Sequence, residues 1–214
     1  MHAQRALALG VASLVAVALM ALAVPMEPLS VDRVWSDAME SIASPALKAV
    51  ALVFNALGRG LGWALTLAAV AGLLLLQRRL AALLAFVIAE ALSSFLSALL
   101  KLLVGRPRPP DGLVHPVGSS FPSGHASYGA VTCIALVLLF TSPGRRARWW
   151  CLAAAGIAGM AWSRTYLQVH WLSDAVCGAL LGVGIALVSF ATAQLDFPRA
   201  VRDTELNGSV FENR

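Results

Sequence analysis

The stretch LAALLAFVIAEALSSFLSALLKLLVGRPRPP occupies residues 80–110, and its reading decides the fold. From Leu80 to Leu103 it is apolar apart from serines, Glu90 and Lys101. A helix needs roughly 20 such residues to cross the hydrocarbon core of a bilayer. The run then meets Pro107, Pro109 and Pro110, through which a helix cannot easily continue. It predicts a membrane-spanning helix that ends in a stiff cationic loop carrying Arg106 and Arg108.

Working outward, similar apolar runs fall at 6–24, 58–76, 124–141, 149–165 and 172–195, with this one at 80–103. The expected fold is therefore all-α, a six-transmembrane-helix bundle. Composition agrees: 59% of residues are hydrophobic and 13% charged, where a soluble domain has roughly a quarter charged. Residues 25–57 open with Pro25 and Pro28, carry Asp32, Arg33, Asp37 and Glu40, and turn apolar again from Ala46 to Leu57. They predict an amphipathic segment lying on or dipping into the interface. Residues 1–195 are expected to form a single membrane-embedded domain and 196–214 a polar, loosely ordered cytoplasmic tail. The first span ends Ala21-Leu22-Ala23, which could be a signal-peptidase site. Its apolar stretch of about 18 residues exceeds the roughly 7–15 of a signal peptide, so an uncleaved anchor is expected.

Lys and Arg in the loops set the orientation. With the N-terminus inside, the inner segments hold nine: Arg5, Arg78, Arg79, Arg145, Arg146, Arg148, Arg199, Arg202 and Arg214. The outer segments hold seven: Arg33, Lys48, Arg59, Lys101, Arg106, Arg108 and Arg164. Three of the seven, Lys101, Arg108 and Arg164, have another reason to be there, given below. Both termini are therefore expected in the cytoplasm. The net charge is +5, but no basic patch is interleaved with aromatics, so nucleic-acid binding is not expected. Cys133, Cys151 and Cys177 lie in apolar stretches and read as core thiols, not a disulfide framework or metal site.

Three polar clusters flank the apolar runs, all on the predicted outer side. Such groups are costly in so apolar a chain, which makes them a functional-site hypothesis. The first is Lys101 with Arg108 and Pro109. A lysine at a helix end can simply snorkel to the surface, and the arginines of this loop could meet lipid headgroups. Equally, an arginine fork and a lysine point charge suit phosphate oxygens. The second is Pro122, Ser123, Gly124 and His125, opening an apolar run. Ser123 is a plausible N-cap, and a helix N-terminus is also a phosphate site. The third is Ser163, Arg164, His170 and Asp174. His170 and Asp174 are four apart and share a helix face. They form either a pair that stabilises a helix start or a carboxylate-oriented nucleophile. Glu90 is expected to face the bundle interior in a structural hydrogen bond. His115 reads as a solvated loop histidine. Trp35, Trp149, Trp150 and Trp171 fall near predicted interfaces.

Taken together, the lysine, six residues, Arg-Pro element, the Pro-Ser-Gly-His element and the Ser-Arg, five residues, His, three residues, Asp element occur in order with unbroken spacing. The chain thus resembles the type 2 phosphatidic acid phosphatase superfamily of integral membrane lipid phosphatases, over Lys101 to Asp174 by motif and over most of the chain by layout. The resemblance implies that His170 attacks phosphorus and carries a phosphohistidine, that Asp174 orients it, and that His125 protonates the leaving oxygen and then activates water. It implies that Lys101, Arg108 and Arg164, with Ser123 and the Gly124 N–H, hold the phosphate oxygens. Three protein cations would do the work of a metal, so no metal or other cofactor is expected.

The expected function is a bacterial-type inner-membrane lipid phosphatase with its site on the periplasmic or exterior face. The expected substrates are undecaprenyl diphosphate, phosphatidylglycerophosphate or phosphatidate, and the expected partners are that lipid and the bilayer. A phosphotransferase of the same fold, passing the phosphoryl group to a lipid or sugar, is a second reading. A non-enzymatic anion-binding membrane protein is a third, against which the His170 and Asp174 pair speaks. Family likeness does not choose among substrates.

Overall fold

The computed structural model describes the backbone of residues 3–142 and 146–208 and the side chains of residues 3–142 and 146–193. Among the described residues there are eight helices and no strand: α1 (Ala3–Ala23), α2 (Ser30–Ser41), α3 (Pro45–Leu57), α4 (Gly60–Leu76), α5 (Leu80–Val104), α6 (Gly124–Phe140), α7 (Arg146–Tyr166) and α8 (Leu172–Gly208). The breaks fall where the chain chemistry puts them. Gly105 ends α5 in a left-handed conformation at φ 67°, which glycine adopts without a Cβ penalty. Ser44 caps α3 by accepting from the Leu47 N–H, with Pro45 in the first turn.

Each of the six expected spans is helical at the expected residues, but they are not equal. Among the described residues three helices are long and apolar enough to cross a membrane: α1, α5 and the Leu172–Ala193 part of α8. Helices α3 and α4, bent by 60°, make a fourth if they act as one broken span. Helix α6 is apolar but has only 17 residues, and α7 is diluted by Arg146, Arg148 and Arg164. The interfacial segment expected over 25–57 is two helices, α2 and α3, separated at Ile42–Ser44. The backbone of the tail is helical through Gly208, where its polarity suggested a loosely ordered end. A run such as Ala200-Val201-Arg202 has adequate helix propensity despite its polar surroundings, and residues 209–214 lie outside the described ones.

Helix α8 packs against α1, α5, α6 and α7, and α6 against α5 and α7. Small residues allow this. Gly10 and Gly184 bring α1 and α8 into contact, and Gly178 and Gly182 let α8 touch the α6 backbone at Ser123 and Ser127, where a Cβ would overlap the carbonyls. The main core joins Phe86, Ala89, Val131, Ile134, Leu181, Ile185 and Phe190. A second, smaller cluster of Met39, Ala51, Tyr166, Leu167 and Val169 seats α2 and α3 on the turn after α7. Outward faces stay apolar, with Leu22, Leu76 and Leu102 largely exposed, as suits contact with lipid tails.

Glu90 faces the interior as expected and accepts a hydrogen bond from Thr132 at 2.9 Å. His115 is exposed. Of the three cysteines, Cys177 is buried and Cys133 half-buried, but Cys151 is exposed on α7. The apolar stretch around Cys151 signals a lipid-facing surface as readily as a core, because both surroundings are apolar.

Candidate active site

Five pieces of chain converge at one end of the bundle: the end of α5, the loop 105–123, the start of α6, the end of α7 and the turn that leads into α8. Lys101 fixes the loop from below, its Nζ donating to the carbonyls of Ser119 at 2.8 Å and Ser120 at 3.3 Å. The Ser119 hydroxyl returns a bond to the Lys101 carbonyl. Arg108 reaches across the same loop. Its Nε donates to the Gly118 carbonyl, Nη2 to Ser119 and Nη1 to Val169, at 2.8, 3.0 and 2.6 Å. Both cations are thus held by backbone oxygens in fixed positions, while Lys101 keeps an unused donor.

His170 sits in the turn before α8, almost fully buried. Its Nε2 lies 3.2 Å from Arg108 Nη1. Its Nδ1 has no hydrogen-bond partner and lies 3.9 Å from Asp174 Oδ2. That is too long for a hydrogen bond, so the pairing expected from the i, i+4 spacing is an approach without a closed bond. The reason is that Asp174 is already engaged. Its Oδ2 accepts from the Trp171 N–H at 2.9 Å and its Oδ1 from Arg106 Nη1 at 2.6 Å. Burial first, then the positive charges of Lys101, Arg108, Arg164 and His125, hold the His170 imidazole well below its ordinary pKa. The ring is thereby held toward its neutral form, and the Arg108 N–H facing Nε2 favours the tautomer in which Nε2 keeps its lone pair.

Ser123 stands at the N-cap of α6, but its hydroxyl caps nothing. It is fully buried and lacks a partner, as does His125 Nε2 two residues on. The Ser123 N–H instead donates to the Asp174 carbonyl at 3.0 Å, tying the α6 start to the α8 start. A helix N-terminus with an idle hydroxyl and an idle imidazole nitrogen can receive an anion. His125 packs against Gly58 at the corner between α3 and α4, where a side chain would collide with the ring. Arg164 is buried, with Nη1 donating to Asn55 Oδ1 at 2.7 Å and Nε unpartnered. Ser163 turns its hydroxyl back to the Met160 carbonyl and serves α7 itself.

Sequence reasoning missed Arg106. It is completely buried and bridges two carboxylates, Asp32 on α2 and Asp174 on α8, at 2.8 and 2.6 Å. In the sequence Arg106 carries no reading beyond the headgroup contact open to both loop arginines, because neighbouring arginines look alike in a string. The signal available was the pair of prolines. Residues preceding proline are biased to extended or polyproline conformations, whose threefold repeat sends residues two apart to different sides. Asp32, Ser173 and Asn55 were also missed, and nothing local marks them.

Among the described residues no group of three or more His, Cys, Asp or Glu is placed to hold a metal ion. What the cluster offers is a buried nucleophilic nitrogen, a carboxylate beside it, a second imidazole and three cations. Comparison with known proteins agrees in family. Residues 82–197 match the family model described as the PAP2 superfamily. An undecaprenyl-diphosphatase from Sulfolobus acidocaldarius is 37% identical over 94 residues, which is 42% of this chain and 40% of that protein. The chain therefore spans well under half the length of that curated relative. The fold resembles the crystal structure of a transmembrane PAP2-type phosphatidylglycerolphosphate phosphatase from Bacillus subtilis, with TM-score 0.76 and 23% identity over 87% of this chain and 96% of that one. It also resembles Aquifex aeolicus LpxE, with TM-score 0.62 and 22% identity over 72% of this chain and 92% of that one. With its matched region running from Ala82 near the start of α5 to Phe197 in α8 and every motif residue inside it, this chain belongs to the PAP2 superfamily.

Proposed function

We propose that the protein is an integral membrane lipid phosphatase that works through a phosphohistidine on His170. The observation that carries this reading is the setting of one imidazole: Nε2 beside the Arg108 guanidinium, Nδ1 turned toward Asp174. A site that only binds anions needs the cations and has no use for a buried nucleophile with a carboxylate behind it.

In this mechanism the substrate phosphate lies among Lys101, Arg108 and Arg164, with the Ser123 hydroxyl and the Gly124 N–H completing its shell. His170 Nε2 attacks the terminal phosphorus as its bond to the leaving oxygen breaks, the alcohol oxygen of a phosphomonoester or the bridging oxygen of a diphosphate. His125, protonated beside the bound dianion, gives its proton to that leaving oxygen. Water then enters and its oxygen attacks phosphorus while His125 removes its proton, and the P–N bond breaks to release inorganic phosphate and free His170. Asp174 closes on Nδ1–H as positive charge develops on the ring. Hydrogen bonds of this kind are often long before substrate binds and tighten in the reacting complex. Positioning and charge stabilisation supply most of phosphoryl-transfer catalysis, and three fixed cations supply it here without a metal.

The six apolar helices are read as six spans, with both termini in the cytoplasm and the site on the periplasmic or outer face. Residues 1–195 form the membrane domain and 196–214 the cytoplasmic tail. A site at the membrane–water boundary admits a headgroup while its tails stay in lipid. Among undecaprenyl diphosphate, phosphatidylglycerophosphate and phosphatidate, the first is favoured by the curated relative.

The test is phosphate release from these three lipids by purified protein in detergent, with and without EDTA. Turnover unaffected by EDTA, with radiolabelled phosphate trapped on wild type and absent from His170→Ala, is the expected result. Full activity in His170→Ala would remove the mechanism, and inhibition by EDTA its metal independence. Maleimide labelling of His115→Cys from outside intact cells checks the orientation.

A further inference from the structure

The least expected feature of the molecule is a fully buried chain of charges that begins outside the matched family region. Asp32 belongs to α2, the amphipathic helix between the first two apolar runs. Its Oδ1 accepts from the Ser173 N–H at 2.8 Å. Its Oδ2 accepts from the Ser173 hydroxyl at 2.9 Å, the Leu29 N–H at 3.0 Å and Arg106 Nη2 at 2.8 Å. The other arm of Arg106 holds Asp174 and the Ser173 hydroxyl, at 2.6 and 2.8 Å. Asp32, Arg106 and Asp174 are each at most 1% exposed.

Two physical consequences follow from this order of groups. An arginine facing a single carboxylate prefers to pair with it through two parallel hydrogen bonds. Such a fork would claim both Asp174 oxygens and turn Oδ2 away from His170. Because Asp32 occupies Nη2, Arg106 spends only Nη1 on Asp174 and takes Oδ1 alone. Oδ2, which accepts from the Trp171 N–H at 2.9 Å, still faces Nδ1 of His170 at 3.9 Å. The second consequence is charge. Two carboxylates share one guanidinium, so the cluster carries a net negative charge in a dry setting, next to a ring that becomes positive as Nε2 bonds to phosphorus.

We propose that Asp32 is a positioning residue for the nucleophile, acting through Arg106 and Asp174. It keeps Arg106 from closing on Asp174 as a fork and preserves the negative charge behind His170. The rest of α2 is built to hold it there. Trp35 Nε1 donates to Thr165 Oγ1 at 2.9 Å, and the Ser36 hydroxyl donates to Gln168 Oε1 at 2.7 Å. Helix α2 is thereby strapped to the turn that bears His170. A helix needed only to lie on the membrane surface has no reason to send its one buried carboxylate to that turn.

This inference rests on the phosphatase reading, and the experiment separates the two. Wild type, Asp32→Asn, Asp174→Asn and the double variant are assayed in detergent with dioctanoyl phosphatidate. Asp32→Asn is expected to lower kcat roughly 10- to 100-fold, the scale on which a lost supporting partner acts. KM should hardly change, because the cations that hold phosphate are untouched. The double variant should be no slower than Asp174→Asn alone, since Asp32 has nothing left to position. A merely structural Asp32 would instead multiply its loss onto that of Asp174→Asn. Either that outcome or an unchanged kcat in Asp32→Asn overturns the inference while leaving the phosphatase reading intact. A wild type that releases no phosphate from any lipid overturns both. Should Asp32→Asn fail to fold, Arg106→Lys carries the same comparison. Lysine keeps the charge but cannot bridge two carboxylates in this geometry.

Discussion

Arg108 Nη1 lies 3.2 Å from His170 Nε2 while also donating to the Val169 carbonyl at 2.6 Å. One guanidinium therefore fixes the backbone of the turn that bears His170 and, in the proposed mechanism, stands where a phosphoryl oxygen would meet the attacking nitrogen. Its Nε and Nη2 meanwhile gather the carbonyls of Gly118 and Ser119. Arg108→Lys keeps the charge and loses this geometry. Its kcat/KM should fall roughly 10²- to 10³-fold, as when one preorganised transition-state donor is removed. Steady-state phosphate release checks it, and activity close to wild type would show that charge alone suffices.

The pH dependence follows from His170 and Asp32. Burial, then the neighbouring cations, lowers the folded-state pKa of His170, so the unfolded chain takes up that proton first. Stability should therefore fall as pH drops below the unfolded value of about 6.5. For Asp32, burial alone would raise the pKa, but the bonds from Ser173, Arg106 and Leu29 outweigh it and the pKa is lowered. Its contribution is present above about 3.8 and lost as pH falls through the folded value. Thermal unfolding between pH 7 and pH 5 should show a falling midpoint for wild type and a shallower fall for His170→Asn. Parallel curves for the two proteins would contradict the buried neutral imidazole.

Gly178 is where α8 meets the start of α6. A Cβ there would run into the Ser123 carbonyl, which is backbone and cannot rotate away. Gly178→Ala should cost about 1–3 kcal/mol of stability, the usual scale of overpacking. It should also disturb the Ser123 N–H bond to the Asp174 carbonyl, so activity should drop more than stability alone explains. Melting and phosphate release measured on the same preparation test both parts.

Glu90 serves as a contrast. It is buried in mid-bundle, with one oxygen on Thr132 and the other unpartnered. Glu90→Gln keeps the acceptor for Thr132 and removes the cost of a buried carboxylate. Turnover should stay close to wild type and the melting temperature should hold or rise. A large loss of turnover at unchanged stability would instead assign Glu90 a part in the reaction.

Much of this was legible in one dimension. The apolar runs located six helices because lipid and core both demand long apolar segments, and the proline and glycine breaks ended them where backbone geometry requires. Lys101, Arg108, His125, His170 and Asp174 stood out because ionisable groups are rare and costly in such a chain. The spans themselves were less legible. Crossing a membrane depends on exposure to lipid along the whole helix, and α6 and α7 fall short on length or polarity taken alone.

What sequence alone determined, then, is the helical layout and the set of chemical groups, since each follows from local composition and spacing. Tertiary structure decided which groups meet. It placed Arg106 between Asp32 and Asp174 and put Asn55 on Arg164, contacts between residues 74, 68 and 109 positions apart. It also kept His170 and Asp174 at 3.9 Å despite their favourable spacing. Helical periodicity says which side chains share a face. Only the packing of other helices says which partner reaches a buried carboxylate first.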